Sequence, residues 1–148
     1  MIKVRYIAQG DVFSMLADRR DLVEKLARQS KDRATVDAIV ATVYRGGVDM
    51  WGLFDEDESK VHVPCLVGFA TTQVIPYAKG KVLKIHDVVT DTGVYQDNWA
   101  GLFEQLEEFA RQIGVDWIDF DGRLGWMKMA EAAGFKARRI IFTKEVLK

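Results

Sequence analysis

Two adjacent polar residues, His86 and Asp87, interrupt a run of β-favouring residues from Val82 to Thr90. An imidazole or a carboxylate can accept a proton from a reacting group, which is the chemistry of general acid–base catalysis. Because successive side chains on a strand point to opposite faces of a sheet, we expect only one of the two to face a cleft. The sequence does not decide which of the two residues faces the cleft. The structural alternatives are an Asp87 bonded in a turn or to Lys84, and a His86 satisfied in a core or at an interface.

Tyr95 is a third candidate, because it comes just before a segment with helical periodicity. Its phenol hydroxyl can donate a proton to an oxyanion or a thiolate, although an aromatic residue at such a junction more often packs. Metal and thiol chemistry are not expected. His62, Cys65 and His86 are scattered along the chain, and Cys65 is the only cysteine. Neither a zinc site nor a Cys–His nucleophile is therefore predicted.

The composition bounds the class of protein. The chain has 148 residues, a formal net charge of -1 and 49% hydrophobic residues, enough for one domain over residues 1–148 with a core that offsets the entropy of ordering. The low net charge argues against binding to nucleic acid or to anionic lipid. A single cysteine, no leader pattern in residues 1–10 and no long apolar stretch favour a cytoplasmic protein without a membrane segment.

Apolar periodicity predicts the elements that must position these residues. An alternating pattern predicts a strand over 2–7, and helical spacing of Phe13, Leu16, Val23 and Leu26 predicts a first helix. A second helix over 36–43 ends at Gly46. Further strands are predicted over 48–54, 61–74, 82–90 and 115–120. A helix capped by Asp97 or Asn98 and ended by Gly114 precedes the strand over 115–120. A short helix ended by Gly134 and a last strand over 137–146 follow it.

The predicted order is β-α-α-β-β-β-α-β-α-β, an α/β (α+β) architecture with a mixed central sheet and helices on both faces. Strands joined by turns are expected to be antiparallel, whereas the strand–helix–strand crossover near the end implies a parallel pair. The basic residues of the last predicted strand favour a protected sheet edge.

A local motif near the end of the chain carries a resemblance. Residues 121–126 are Asp-Gly-Arg-Leu-Gly-Trp, and residues 133–135 are Ala-Gly-Phe, which close the last helix. The order of elements is similar to that of the GNAT superfamily of N-acetyltransferases over nearly the whole chain, and this motif is the most specific local likeness. Its Gly-Arg-x-Gly-Trp form resembles divergent GNAT-like proteins of tailed phages. The resemblance implies a fold whose fourth and fifth strands splay apart to admit the pantetheine arm of acetyl-CoA.

The resemblance also implies roles for residues of this chain. The base is expected on the fourth strand, at Asp87 or His86, and Tyr95 is the candidate acid. Residues 96–101 match the family's phosphate-binding pattern R/Q-x-x-G-x-G/A at Gln96 and Gly101. The implied cofactor-binding residues are Val88, Val89, Gln96, Asn98, Ala100 and Gly101.

Three residues depart from the family pattern. Trp99 stands at the first glycine of the phosphate-binding pattern, where a small residue lets backbone amides approach a phosphate. Ala130 stands where the family often has the tyrosine that protonates the leaving thiolate, and Arg123 replaces a frequent asparagine. The departure at Trp99 argues against ordinary binding of acetyl-CoA.

Two functions follow from the sequence as alternatives. The first is an N-acetyltransferase that moves an acetyl group to a small-molecule or peptide amine by direct attack. The second is a catalytically inactive GNAT-fold structural or interaction protein that associates with itself or with a virion. In the second case Trp51, Trp99 or Trp126 is the expected aromatic anchor, because aromatic residues dominate such interfaces.

Overall fold

The computed structural model describes residues 2–30, 34–56, 65–122 and 126–146. One five-stranded sheet has the order β1-β2-β3-β4-β5, in which only the β4–β5 pair is parallel. This is the mixed α/β sheet that the sequence predicted. The elements are β1 (Ile2–Ile7), α1 (Gln9–Asp18), α2 (Arg20–Gln29), α3 (Val36–Tyr44), β2 (Asp49–Asp55), β3 (Cys65–Tyr77), β4 (Gly80–Thr90), α4 (Val94–Ile113), β5 (Trp117–Phe120) and α5 (Met127–Ala132).

Helices cover both faces of the sheet, as predicted. On one face, α1, α2 and α3 enclose a buried cluster with the sheet residues Met50, Phe69 and Val89. On the other face, α4 is held to β1 by Gln105, whose side chain accepts a hydrogen bond from the Val4 amide and donates one to the Ile2 carbonyl. No helix within the described ranges is long and apolar enough to span a bilayer.

The first predicted helix is two helices. The chain breaks at Arg19, whose backbone lies at φ -121 and ψ 45, and the side chain of Arg19 bonds Asp21, the Leu66 carbonyl and Asp91. The predicted apolar stripe was also wrong at Phe13, which is 63% exposed, while its neighbour Val12 is buried. Contacts with residues distant in sequence therefore decide which face of α1 is buried.

The helix α4 begins earlier than the sequence predicted. Gly93 is its N-terminal flanking residue, with a positive φ of 88 that favours glycine, and Val94 is the first helical residue. The predicted caps Asp97 and Asn98 therefore lie inside the helix. The end of α4 at Gly114, with φ 73, is as predicted.

The last predicted strand is absent. Residues 135–146 have no regular secondary structure, and Phe142 is 90% exposed. Gly134 ends α5 as predicted, with φ 89. A strand forms only where its backbone groups find a neighbouring strand, and no pairing of this segment occurs among the described residues, so β5 lies at the edge of the sheet.

Candidate functional site

The parallel strands β4 and β5 pair over only part of β4. The paired positions run from Val82 with Trp117 to Ile85 with Phe120. Beyond Ile85, β4 continues to Thr90 and stays paired with β3 on its other side. No described residue pairs with the β5-facing edge of this second half of β4. The two strands therefore leave a gap that begins after Ile85.

A cavity of about 740 Å³ lies beside this gap. Its lining includes residues of both helical layers and of the unpaired half of β4, among them Ile39, Asp87, Val88, Trp99, Phe120 and Trp126. The wall is largely apolar, with a few polar groups beside the strand. Such a combination is typical of a site that takes a small molecule.

A β-bulge occurs at His86. Thr71 of β3 pairs with Asp87 and Thr72 pairs with Ile85, so His86 is the extra residue. His86 Nε2 lies 2.9 Å from Gln73 Oε1, and Thr71 Oγ1 donates to Asp87 Oδ2 at 2.9 Å. Thr71 and Gln73 are two positions apart on β3, so their side chains lie on the same face of the sheet.

The bulge corrects the expectation that only one of the two polar residues can face a cleft. An inserted residue breaks the two-residue alternation of a strand, so His86 and Asp87 both contact the same face, and both line the cavity. The alternative pairing of Asp87 with Lys84 is not observed. Lys84 Nζ instead bonds Asp121 Oδ1 at 3.0 Å.

The contacts of His86 and Asp87 define which atoms are suited to accept a proton. An amide oxygen only accepts hydrogen bonds, so the contact with Gln73 Oε1 suits the tautomer of His86 that carries its hydrogen on Nε2 and its lone pair on Nδ1. Asp87 is held by the hydroxyl of Thr71, which is 0% exposed. A buried partner fixes the orientation of the carboxylate.

The predicted cofactor residues Val88 and Val89 differ in their surroundings. Val88 packs with the cluster beneath α4 that contains Ile2 and Leu53, and it lines the cavity. Val89 is 1% exposed and belongs to the core on the face of α1 to α3. Neighbouring residues on a strand point their backbone groups to opposite sides, so one of the two valines directs its N–H and C=O towards the gap.

The predicted phosphate-binding residues lie further into α4 than expected. Asn98 Nδ2 donates to the Val94 carbonyl at 3.0 Å, so its side chain binds its own helix. Ala100 and Gly101 lie exposed on the helix, where backbone amides bond to the preceding turn. The side chains of Tyr95 and Gln96 are outside the described part of the structure, and the backbones of both residues are in the first turn of α4.

The early start of α4 changes the significance of Trp99. Amides of a helix's first turn have no partner within the helix. Val94 N donates to the Asp91 carbonyl, so the first-turn amides that could donate to a phosphate are those of residues 95–97. Trp99 follows them in the second turn, where it is half-buried and meets Phe103 edge-on at 6.2 Å between ring centroids. Its indole stands at the cavity wall, and its backbone amide is not among these first-turn donors.

Gly101→Ala tests the placement of Gly101 within α4. We expect a gain of about 0.5–1 kcal/mol in the free energy of unfolding, because alanine suits a helix better than glycine and a Cβ here meets nothing within 4 Å. Gly93→Ala is the matched comparison, and we expect it to lose about 1–2 kcal/mol because of its positive φ. Urea unfolding measures both. A destabilised Gly101→Ala variant would contradict this placement.

Arg19 anchors the turn that joins β4 to α4. Its guanidinium donates to the Leu66 carbonyl, to both carboxylate oxygens of Asp21 at 3.0 and 2.9 Å, and to Asp91. Its hydrogen bonds to Asp21 and Asp91 raise the pKa of Arg19, and the hydrogen bond from Arg19 lowers the pKa of Asp21. Arg19 and Asp21 therefore stay charged at neutral pH. Sequence reasoning missed this anchor because Arg19 and Asp91 are 72 positions apart.

Lys25 is a further residue beside the gap that the sequence did not single out. Its Nζ donates to the Thr90 carbonyl at 2.6 Å, at the end of β4, and it lines the cavity. No local pattern marks it, because its role comes from the packing of α2 against β4.

The tryptophans proposed as interface anchors line the interior instead. Trp51 is 6% exposed, packs against Tyr6 and Phe109, and donates to Thr72 Oγ1 at 2.8 Å. Trp99 and Trp126 are half-buried and line the cavity. The prediction of exposed anchors was therefore wrong for Trp51. Arg123, within the motif of the resemblance, lies outside the described residues.

Comparison with known proteins gives a clear answer on fold only. No protein-family model matches the sequence, and no curated protein matches it. Among solved structures, an acetyltransferase of Trypanosoma brucei has a TM-score of 0.65 at 19% identity, with 99% of this chain and 100% of that one covered. Glucosamine-6-phosphate N-acetyltransferase of Arabidopsis thaliana has a TM-score of 0.64 at 16% identity, covering 98% of each chain.

A third solved structure contains a cofactor. It is an aminoglycoside N-acetyltransferase in complex with CoA, with a TM-score of 0.66 at 15% identity, and 98% of this chain and 95% of that one are covered. The fold is thus that of the GNAT acetyltransferases, as the resemblance implied. At these identities the likeness defines the fold and leaves activity to be tested, and the phage origin stays a prediction.

Proposed function

We propose that this protein is an acetyl-CoA-dependent N-acetyltransferase that passes an acetyl group directly to an amine. The observation that carries the proposal is the end of β4–β5 pairing at Ile85, beside a cavity of about 740 Å³ that contains two proton acceptors. A protein of the same fold in complex with CoA supports it.

The residues around the gap suit the two ends of acetyl-CoA. The β5-facing edge of β4 at Val88 or Val89 offers backbone groups to the amide-bearing pantetheine arm. The first-turn amides of residues 95–97 offer donors and the positive end of a helix dipole to the pyrophosphate. Bound acetyl-CoA supplies an activated thioester as the acyl donor.

Asp87 is the proposed general base. Its carboxylate, oriented by Thr71, removes a proton from the ammonium form of the acceptor, so that the amine nitrogen is free to attack. His86 is the second candidate, through Nδ1. Tyr95 is the proposed acid for the departing thiolate, as Ala130 has no hydroxyl at the position that the family often uses. The acceptor is a small-molecule or peptide amine.

Thermal unfolding with acetyl-CoA tests the proposal. A ligand that binds only the folded state at about 100 times its Kd adds about 2.7 kcal/mol of stability, so the midpoint should rise by several degrees. Adenosine 3′,5′-bisphosphate, which lacks the pantetheine arm, is the matched control and should give a smaller shift at the same concentration. No shift with millimolar acetyl-CoA would overturn the proposal.

A catalytically inactive protein of the same fold is the second candidate. Ala130 favours it, because a half-buried alanine at the expected position of the acid leaves the thiolate without that proton donor. This candidate predicts no effect of acetyl-CoA on unfolding and a stable association with itself or with a virion protein. The titration above separates the two.

A further inference from the structure

One part of the cavity lies on the sheet face that carries Asp87. Asp87 lies opposite Thr71 in β3, and Thr71 lies opposite Met50 in β2. Met50 belongs to the core cluster beneath α1, α2 and α3, and Ile39 and Val48 pack against that cluster. Asp87, Ile39 and Val48 also line the cavity. The proposed base therefore shares this part of the cavity with α3 and the residues that follow it.

The side chains on the α3 side of the cavity offer little hydrogen bonding. This surface, here called the α3 wall, consists of Ala34, Ala38, Ile39, Thr42 and Val48. All of them except Thr42 are apolar, and the Thr42 hydroxyl donates to the Ala38 carbonyl at 2.9 Å within its own helix. A ligand rich in hydroxyl or phosphate groups would lose water contacts against this wall without regaining equivalent ones.

Two polar residues from the end of α2 border the α3 wall. Ser30 Oγ donates to the Ala27 carbonyl at 2.6 Å and accepts from the Ala34 amide at 3.0 Å. A hydroxyl has a single hydrogen to donate, so Ser30 has none left for a ligand. Gln29 lines the cavity from an exposed position, where it suits a ligand group that reaches the rim. The inner part of the wall is therefore suited to hydrocarbon.

The acidic residues of the described lining leave one carboxylate for a cationic ligand. They are Asp87, Asp91 and Asp121. Asp91 is paired with Arg19, and Asp121 is paired with Lys84 at 3.0 Å. Asp87 forms no ion pair with a described residue. A ligand with one ammonium group therefore matches this part of the cavity, whereas a second ammonium group would have to compete for a carboxylate that is already paired.

Anionic ligands have a weak counterpart in the same lining. Apart from His86, its described residues include one cationic side chain, Lys25. Lys25 Nζ already donates to the Thr90 carbonyl at 2.6 Å. A phosphate or a carboxylate on the ligand would have to share this ammonium group with the end of β4. Phosphate groups are usually bound by several donors together, so the lining does not favour a phosphorylated acceptor.

We propose that the acceptor is a primary amine with a single positive charge and a hydrocarbon arm, that is, an alkylamine or an arylalkylamine. Its ammonium group lies at Asp87, and its arm lies along the α3 wall. This inference rests on the proposed function for the role of the amine as acceptor, but binding of the amine can be measured without transfer. Such a site gains affinity with each buried methylene and rejects a second charge that it cannot pair.

Calorimetric titration of the full chain with short amines tests the inference. Hexylamine should bind about 16-fold more tightly than butylamine, about 4-fold for each of the two added methylenes. The matched ligand for charge is 1,4-diaminobutane, which has the same carbon chain as butylamine and a second ammonium group. It should bind about 10-fold more weakly than butylamine, because its second charge meets apolar side chains.

A pair of variants at Ala38 tests where the arm lies. Ala38 is an exposed residue of α3, so Ala38→Asp and Ala38→Asn should both fold, which circular dichroism checks. Ala38→Asp adds a carboxylate to the α3 wall and should remove or reverse the preference for butylamine over 1,4-diaminobutane. Ala38→Asn is the matched control, because it adds a side chain of the same size without charge, and it should keep the preference.

Each outcome bears on the amine site separately from acetyl transfer. Hexylamine that binds no more tightly than butylamine, or 1,4-diaminobutane that binds more tightly than butylamine to the wild type, would overturn the inference. The absence of binding by all three amines would do the same. An unchanged preference in Ala38→Asp would show that the arm does not lie on the α3 wall. Amine binding as expected, without any effect of acetyl-CoA on unfolding, would sink the proposed transferase function alone.

Discussion

Asp87→Asn is expected to lower kcat/KM for acetyl transfer by about 10²–10⁴-fold, the usual contribution of a positioned general base. Asparagine keeps an oxygen that can accept the hydrogen bond from Thr71, so the local structure should persist while the proton acceptor is lost. The measurement is release of the CoA thiol with acetyl-CoA and an amine acceptor found by screening primary amines.

Two variants control this experiment. Asp121→Asn removes a carboxylate from the same cavity, but that residue is bonded to Lys84 and is 62% exposed, so we expect little change in rate. His86→Asn should lower the rate less than Asp87→Asn does. Wild-type activity in Asp87→Asn, or an equal loss in Asp121→Asn, would contradict the role of Asp87 and leave acetyl-CoA binding as a separate result.

Phe69→Ala is expected to lower the free energy of unfolding by about 3–5 kcal/mol. Phe69 lies in β3, is 0% exposed, and belongs to the cluster that joins the sheet to α1, α2 and α3. Alanine would leave a cavity in the part of the core that supports the unpaired half of β4. The loss is a large share of the total stability of a domain this size, and urea unfolding measures it.

Phe13→Ala is the matched control for Phe69→Ala. Phe13 is 63% exposed and meets Tyr44 at 6.4 Å between ring centroids, so we expect a change of about 0.5 kcal/mol or less. The same chemical change thus has different costs at the two sites because only one is buried. Similar losses in the two variants would contradict the assignment of the core.

The order of elements could largely be predicted from the sequence, because periodicity and glycine positions are local. The stripe of α4 and its end at Gly114, the end of the last helix at Gly134, and the turn before Val82 each depend on a few neighbouring residues. His86 and Asp87 were identified as candidates for the same reason. Their residue types and their interruption of an apolar strand are visible without any partner.

The arrangement of the site was decided by contacts between distant residues. The bulge that brings His86 and Asp87 to one face depends on the register of β4 against β3, and no local pattern fixes a register. Arg19, at the break between α1 and α2, bonds Asp91, 72 positions away. The start of α4 at Val94 places the first-turn amides of residues 95–97 ahead of Trp99, so the indole does not occupy the first turn of the helix.

The predicted strand over residues 137–146 shows the same division most clearly. Its sequence determines an amphipathic strand, because alternation of apolar and polar residues is a property of the segment itself. Whether that strand forms depends on a second backbone that the segment does not contain, since strand hydrogen bonds join residues from different parts of a chain or from different chains. The sequence alone therefore determined which elements this protein can form, and tertiary structure decided which of them pair and which side chains meet.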